Sequence, residues 1–120
     1  MRSRIPQLEK HDWTLAREVI KKAADLGLVG AVIPEEYGGL GLDQTSGTLV
    51  AENFGRAASF AVTFGAQTGI GTLPIVYFGN EETKKKYLPK IVTGELVPAY
   101  ALTEAGSGSD ALADPSIGKA

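Results

Sequence analysis

Residues 59–71 read Ser59-Phe60-Ala61-Val62-Thr63-Phe64-Gly65-Ala66-Gln67-Thr68-Gly69-Ile70-Gly71. From Phe60 to Ile70 apolar side chains surround the segment almost completely, and Ser59 stands where a cap belongs. A helix apolar on every face is predicted to lie in the middle of a helical bundle, because only neighbours on all sides keep that surface from water. Gly65, Gly69 and Gly71 lower its helix propensity by roughly 1 kcal/mol each against Ala. Glycines kept there let another backbone or a ligand come close, and helix–helix contact is the simpler of those two readings.

Toward the N-terminus, Asp12 can cap a helix in which Leu15, Val19, Ala23 and Leu26 recur at helical spacing and Gly27 is a left-handed stop. A short apolar stretch, Leu28 to Ile33, runs into Pro34-Glu35-Glu36-Tyr37-Gly38-Gly39-Leu40-Gly41-Leu42, a Gly/Pro-rich loop. Asp43 looks like the cap of a helix through about Gly55 that buries Leu49, Val50 and Phe54. Toward the C-terminus, Pro74 to Phe78 is a short apolar turn ending at Gly79. Asn80 then caps a helix from Glu81 to Leu88, acidic in its first turn and basic in its last, as the helix dipole favours. Lys84, Lys85 and Lys86 read better as a solvated helix end than as a phosphate site. Pro89 is predicted to start another turn that stops at Gly94.

After Gly94 the pattern changes. Leu96 to Leu102, with Pro98 inside, reads as an edge strand, and Thr103 to Asp110 as a polar, glycine-rich loop. The remainder, Ala111 to Ala120, has no strong periodicity. The expected fold class is all-α, five or six helices over residues 1–95, with residues 96–120 as the start of a β-rich domain. A lone strand cannot satisfy its own backbone groups, so that second domain is expected to be missing here.

Composition removes several function classes. The chain has 120 residues, 12 Lys+Arg against 14 Asp+Glu, and a net charge of −2, which is no polycation for nucleic acid. There is no cysteine and one histidine. That excludes a disulfide scaffold, a thiolate nucleophile and Cys-ligated metal, and leaves few ligands for a transition metal. No run approaches the length of a transmembrane helix, and no apolar region follows the arginines of the first residues, so the cytoplasm is the default compartment expected.

The chemistry is concentrated in Thr103-Glu104-Ala105-Gly106-Ser107-Gly108-Ser109-Asp110. Small residues let backbone N–H groups converge on one ligand, and Thr103, Ser107 and Ser109 add hydroxyls. Such a loop suits a diphosphate or the polar edge of a flavin. It matches neither the dinucleotide fingerprint nor the P-loop, and on pattern alone it reads equally as a structural turn. A hydrolase triad from Ser109, Asp110 and His11 has no support, since His11 stands at a helix start far along the chain.

Tyr100 to Asp110, YALTEAGSGSD, resembles the first signature of the acyl-CoA dehydrogenases, of the form LTEPxxGSD. Three further segments match the family in the same order: Ile33 to Gly39, Gly65 to Thr68, and Gly79 to Pro89. The resemblance covers roughly residues 12–112. It implies an all-α N-terminal domain followed by a middle β-domain and a C-terminal four-helix domain, assembled as a homo-oligomer, commonly a tetramer. It implies oxidation of an acyl-CoA to the trans-2-enoyl-CoA, in fatty-acid or branched-chain acyl oxidation. FAD is then the hydride acceptor, and an electron-transferring flavoprotein takes the electrons. The compartment becomes the mitochondrial matrix if the source is eukaryotic.

Carried over residue by residue, the resemblance places Tyr100, Leu102, Thr103, Gly108 and Ser109 at the FAD. The Leu102 and Thr103 backbone and the Thr103 hydroxyl would face the flavin pyrimidine edge. Ser109 would also touch the pantetheine side of the acyl-CoA. Gln67 and Gly71 would line the acyl pocket, and glycine at 71 leaves the channel open for longer chains, as in the very-long-chain branch. Ala105 departs from the Pro common in the family, loosening the loop without removing a donor. The family's base is a Glu of the C-terminal domain. None of Glu35, Glu36, Glu52 or Glu104 matches it, so no catalytic residue is assigned and the chain alone is expected to be inactive. The competing function is a non-catalytic helical module, and acyl-CoA oxidases and nitroalkane oxidases share the fold.

Overall fold

The computed structural model describes residues 4–110. It contains six helices: α1 (Ile5–Glu9), α2 (Trp13–Asp25), α3 (Gln44–Phe54), α4 (Ala58–Thr68), α5 (Leu73–Phe78) and α6 (Glu81–Val92), with a 3-10 turn at Glu35–Tyr37. Among the described residues there is no strand, so the fold is all-α. The tail from Ala111 lies outside them.

Three local signals form as their residues dictate. The carboxylates of Asp12 and Asp43 accept from the N–H of Leu15 and Ser46 at 2.9 and 2.8 Å, and the Asn80 side chain accepts from Thr83 at 2.8 Å. Gly27 adopts φ +77°, the left-handed stop expected of it, and Gly94, where the chain was expected to stop, does so at φ +73°. Helix α1 is not legible as a helix in the sequence; Pro6 stands in its first turn and His11, at φ 59°, turns the chain into α2.

The structure departs from the periodicity on α2, α3 and α4. On α2 the core face is Leu15, Ala16, Ile20 and Ala23, whereas Leu26, which follows the last helical turn, is 73% exposed. Helix α3 buries none of its residues fully. Val50 and Phe54 pack against the core, and Leu49 is exposed. Helix α4 begins at Ala58, and Ser59 does not cap it. The Ser59 hydroxyl instead donates to the Leu8 carbonyl at 3.1 Å, and its N–H donates to Glu9 Oε1 at 3.2 Å, which docks α1 on α4.

Helix α4 is also not enclosed. Phe60, Phe64 and Gln67 are buried while Val62 and Gly65 lie open, because α1 and α3 cover only part of its circumference. Phe64 anchors it, stacking on Phe54 at 4.1 Å between ring centroids.

Pro89 does not interrupt α6. The helix runs on to Val92 although Pro89 supplies no N–H to it. Leu88 and Ile91, among the most deeply buried residues, hold the last turn against the core. The N–H groups of Thr93 and Leu96 then satisfy the carbonyls of Pro89 and Lys90. Lys84 to Lys86 are therefore mid-helix, and Lys90 is the cation of the last turn. On the surface, Glu18 accepts from both Arg4 and Lys22, and Lys22 first, then Arg4, holds its carboxyl below the usual range.

Candidate functional site

Beyond Gly94 the chain leaves α6 and crosses the α4–α5 junction. Residues 96–103 form no strand, correcting the edge strand expected there, because a strand requires a partner's ladder and the described residues supply none. Val97 packs on the core. Pro98 lies over Gly71, where an added Cβ would stand 3.1 Å from the Pro98 backbone carbon and 2.9 Å from the Ala66 carbonyl oxygen. Glycine at 71 thus allows two backbones to meet.

Two residues on, Tyr100 joins Ile70, Leu73, Pro74, Tyr77 and Phe78 around an open apolar cleft of about 330 Å³. The Tyr77 hydroxyl accepts a hydrogen bond from Gln44 Nε2 at 3.0 Å, which ties α5 to the start of α3. Tyr77 and Phe78 meet edge to face at 6.3 Å. Neither aromatic was singled out from sequence, although both stand beside Gly79 with no polar neighbour between them and Pro74.

The signature loop then folds on itself. Glu104 and Ser107 exchange backbone hydrogen bonds of 2.9 and 3.2 Å, and the Ser107 hydroxyl donates to the Asp110 carbonyl at 2.6 Å. Ser107 is consequently buried in the turn, with its hydroxyl turned inward. Tyr100, Leu102, Thr103, Gly108 and Ser109 are exposed. The N–H groups of Leu102 and Thr103 make no hydrogen bond among the described residues. An added Cβ at Gly106 or Gly108 would meet nothing within 4 Å, so the backbone there can be approached.

Gln67 lies apart from this surface. It is fully buried in α4, and neither side-chain amide atom finds a partner among the described residues. The Thr72 hydroxyl donates to its backbone carbonyl. A buried amide left unpaired costs on the order of 1–3 kcal/mol. The structure therefore brings together Tyr100, Gly71 and the α4–α5 junction, and sets Gln67 beneath them.

The model of the acyl-CoA dehydrogenase N-terminal domain matches residues 1–95. The chain belongs to the acyl-CoA dehydrogenase family. A probable acyl-CoA dehydrogenase of Bacillus subtilis is 58% identical over 108 residues, covering 90% of this chain and 18% of that protein. The crystal structure of an acyl-CoA dehydrogenase complexed with FAD from Bacillus anthracis superimposes with a TM-score of 0.88 at 58% identity, covering 93% of this chain and 20% of that one. A structure described as the electron transferring flavoprotein of Acidaminococcus fermentans matches with a TM-score of 0.76 at 38% identity, over 90% of this chain and 29% of its own. The chain thus spans about a fifth of the Bacillus proteins and under a third of the Acidaminococcus fermentans chain. Among the described residues no helix is long and apolar enough to cross a membrane.

Proposed function

We propose that this chain is the helical N-terminal part of an FAD-dependent acyl-CoA dehydrogenase that converts an acyl-CoA to its trans-2-enoyl-CoA, with residues from 96 onward beginning a β-rich domain. The observation that carries this reading is the exposed signature segment. Leu102 and Thr103 present N–H groups that make no hydrogen bond among the described residues, near an apolar cleft, on a bundle 58% identical to a dehydrogenase complexed with FAD.

These residues fit the cofactor. Open backbone donors suit the polar edge of a flavin, and uncovered Cα atoms at Gly106 and Gly108 permit close approach. Leu102, Thr103, Gly108 and Ser109 would hold the group, with Tyr100 against its ring. Bound FAD supplies a hydride acceptor. The chain's own part is to place N–H donors where negative charge develops and to orient the acyl thioester through Ser109. Glycine at 71 and the amide of Gln67 belong to the acyl pocket in this reading, and a residue without a side chain at 71 favours longer chains, although among the described residues the place of its missing Cβ is closed by the Ala66 and Pro98 backbones. Electrons pass to an electron-transferring flavoprotein, the assembled enzyme is a homo-oligomer, and the compartment is the cytoplasm or, in a eukaryote, the mitochondrial matrix. In this reading the base is a Glu of the C-terminal domain, as the resemblance implies, and the 120 residues alone do not turn over.

The test is the visible absorbance of the purified chain with and without added FAD. A flavin spectrum that survives gel filtration supports the reading; a chain with a helical circular dichroism spectrum that never retains flavin counts against the cofactor loop. Replacing Gly71 by Glu in the enzyme that carries this segment presses a Cβ on the Ala66 and Pro98 backbones, so the variant is first checked by circular dichroism; folded, it should prefer shorter acyl chains, and an unchanged profile removes that part of the proposal.

A second reading, a non-catalytic helical interaction module, draws on the uncovered apolar groove where Leu8, Val19, Leu26, Leu28 and Phe54 surround about 250 Å³. A chain that self-associates through this groove and binds no flavin would favour it.

A further inference from the structure

From Val97 to Thr103 the chain makes no hydrogen bond among the described residues. The last backbone bond before this stretch runs from the Leu96 N–H to the Lys90 carbonyl at 3.0 Å, and the next joins Glu104 and Ser107 within the signature loop itself. Packing alone therefore decides where that loop stands on the bundle. Val97 packs on the core, and Tyr100 lines an open cleft and is half exposed. The tight contact is the one between Pro98 and Gly71.

The three glycines toward the end of α4 differ in what fills the place of a Cβ. At Gly65 nothing stands within 4 Å, and at Gly69 the nearest atom is the Gly65 carbonyl oxygen of the same helix, at 2.7 Å. Gly71 alone among them gives that place to a segment far along the chain, with the Pro98 backbone carbon and Cβ both at 3.1 Å. Pro98 suits such a seat. It has no N–H to leave unpaired when covered, its ring fixes φ, and it keeps Val97 before it extended. The other side of the contact is held as well. The Gly71 N–H donates to the Ala66 carbonyl at 2.8 Å, and the fully buried Thr72 donates its hydroxyl to the Gln67 carbonyl. Two constrained stretches of backbone thus meet, and Leu102 follows Pro98 by four residue steps, within about 14 Å.

We infer that Gly71 is a positioning residue for the signature loop: by leaving room for Pro98, it fixes where the Leu102 and Thr103 N–H groups stand. It acts through Pro98 and touches no ligand itself. The inference rests on the cofactor reading given above and does not need the acyl-pocket role of Gly71. A methyl group at position 71 is enough to disturb the arrangement, because the space is already taken.

The 120-residue chain, Gly71→Ala, Pro98→Gly and the double variant are titrated with FAD, following flavin fluorescence, and circular dichroism checks that each is folded. Pro98→Gly leaves α4 and α5 untouched, so it tests the contact even where Gly71→Ala disturbs the end of α4. Each single variant should weaken FAD by about threefold to tenfold, since donors left loose no longer converge on one ligand. The double variant should bind no worse than the weaker single one, because without the Pro98 ring a Cβ at position 71 has nothing of the loop to displace. Losses that multiply in the double variant make the two effects independent and overturn the inference. Folded single variants that bind FAD like the parent overturn it and keep the cofactor reading. A folded parent chain that binds no FAD overturns both.

Discussion

The Tyr37 phenol donates to the Glu81 carboxylate, at 3.1 and 3.0 Å from its two oxygens, across 44 positions of sequence. This contact ties the 3-10 turn to the first turn of α6. Burial, then the hydrogen bond it donates to Glu81 and the nearby Glu36 charge, push the Tyr37 hydroxyl up from 10.0 to about 12. A phenol whose folded pKa lies above its unfolded value stabilises the fold fully below pH 10 and loses that contribution as pH rises toward 12. Urea midpoints measured across that window should fall for the parent chain. Tyr37→Phe should start lower and lose much of the alkaline fall; an equal fall in both would remove Tyr37 from the explanation.

At the acid end the sign reverses. The Ser46 N–H, and then its side chain, hold the Asp43 carboxyl below its usual value of 3.8. Its contribution is therefore present above about pH 4 and is lost as pH falls further. Asp43→Asn keeps a capping oxygen and should flatten this acid limb in circular dichroism melts between pH 5 and 2, whereas an unchanged limb assigns it to other carboxylates.

Asn80 caps α6 through a neutral side chain, so its removal tests capping free of charge. Asn80→Ala should cost about 1 kcal/mol, a fall in Tm of roughly 4 °C for a chain of this size. Asn80→Asp should keep the Tm near that of the parent.

Phe64 is buried at the contact between α3 and α4 and stacks on Phe54. Phe64→Ala should cost about 3–5 kcal/mol in urea unfolding. That is a large share of the stability of such a domain. A loss below about 1 kcal/mol would show that the rings are not the anchor of α4.

Two glycines should respond in opposite directions. An added Cβ at Gly65 meets nothing within 4 Å, so Gly65→Ala should raise stability by about 0.5–1 kcal/mol. A Cβ at Gly39 would stand 2.0 Å from the Ile33 carbonyl oxygen, and Gly39→Ala should cost about 3 kcal/mol or more. Thermal melts of the two variants should move apart; a matched shift would contradict the close approach at Gly39.

Caps and stops were determined by the sequence itself. Asp12, Asp43 and Asn80 each act on a backbone N–H three residues away, and Gly27 and Gly94 are glycines at helix ends, so neighbouring letters contain the whole interaction. The family motif from Tyr100 to Asp110 was legible for the same reason. Tertiary structure decided the rest. Whether Leu49 or Phe54 faces the core, whether Pro89 breaks α6, and whether Ser59 caps a helix or joins two all depend on residues far away in sequence. The Tyr37–Glu81 contact and the cleft shared by Tyr77 and Tyr100 are of this kind as well. Local hydrogen bonds need only the next turn of chain, but burial is set by which surfaces the whole bundle brings together and which it leaves uncovered.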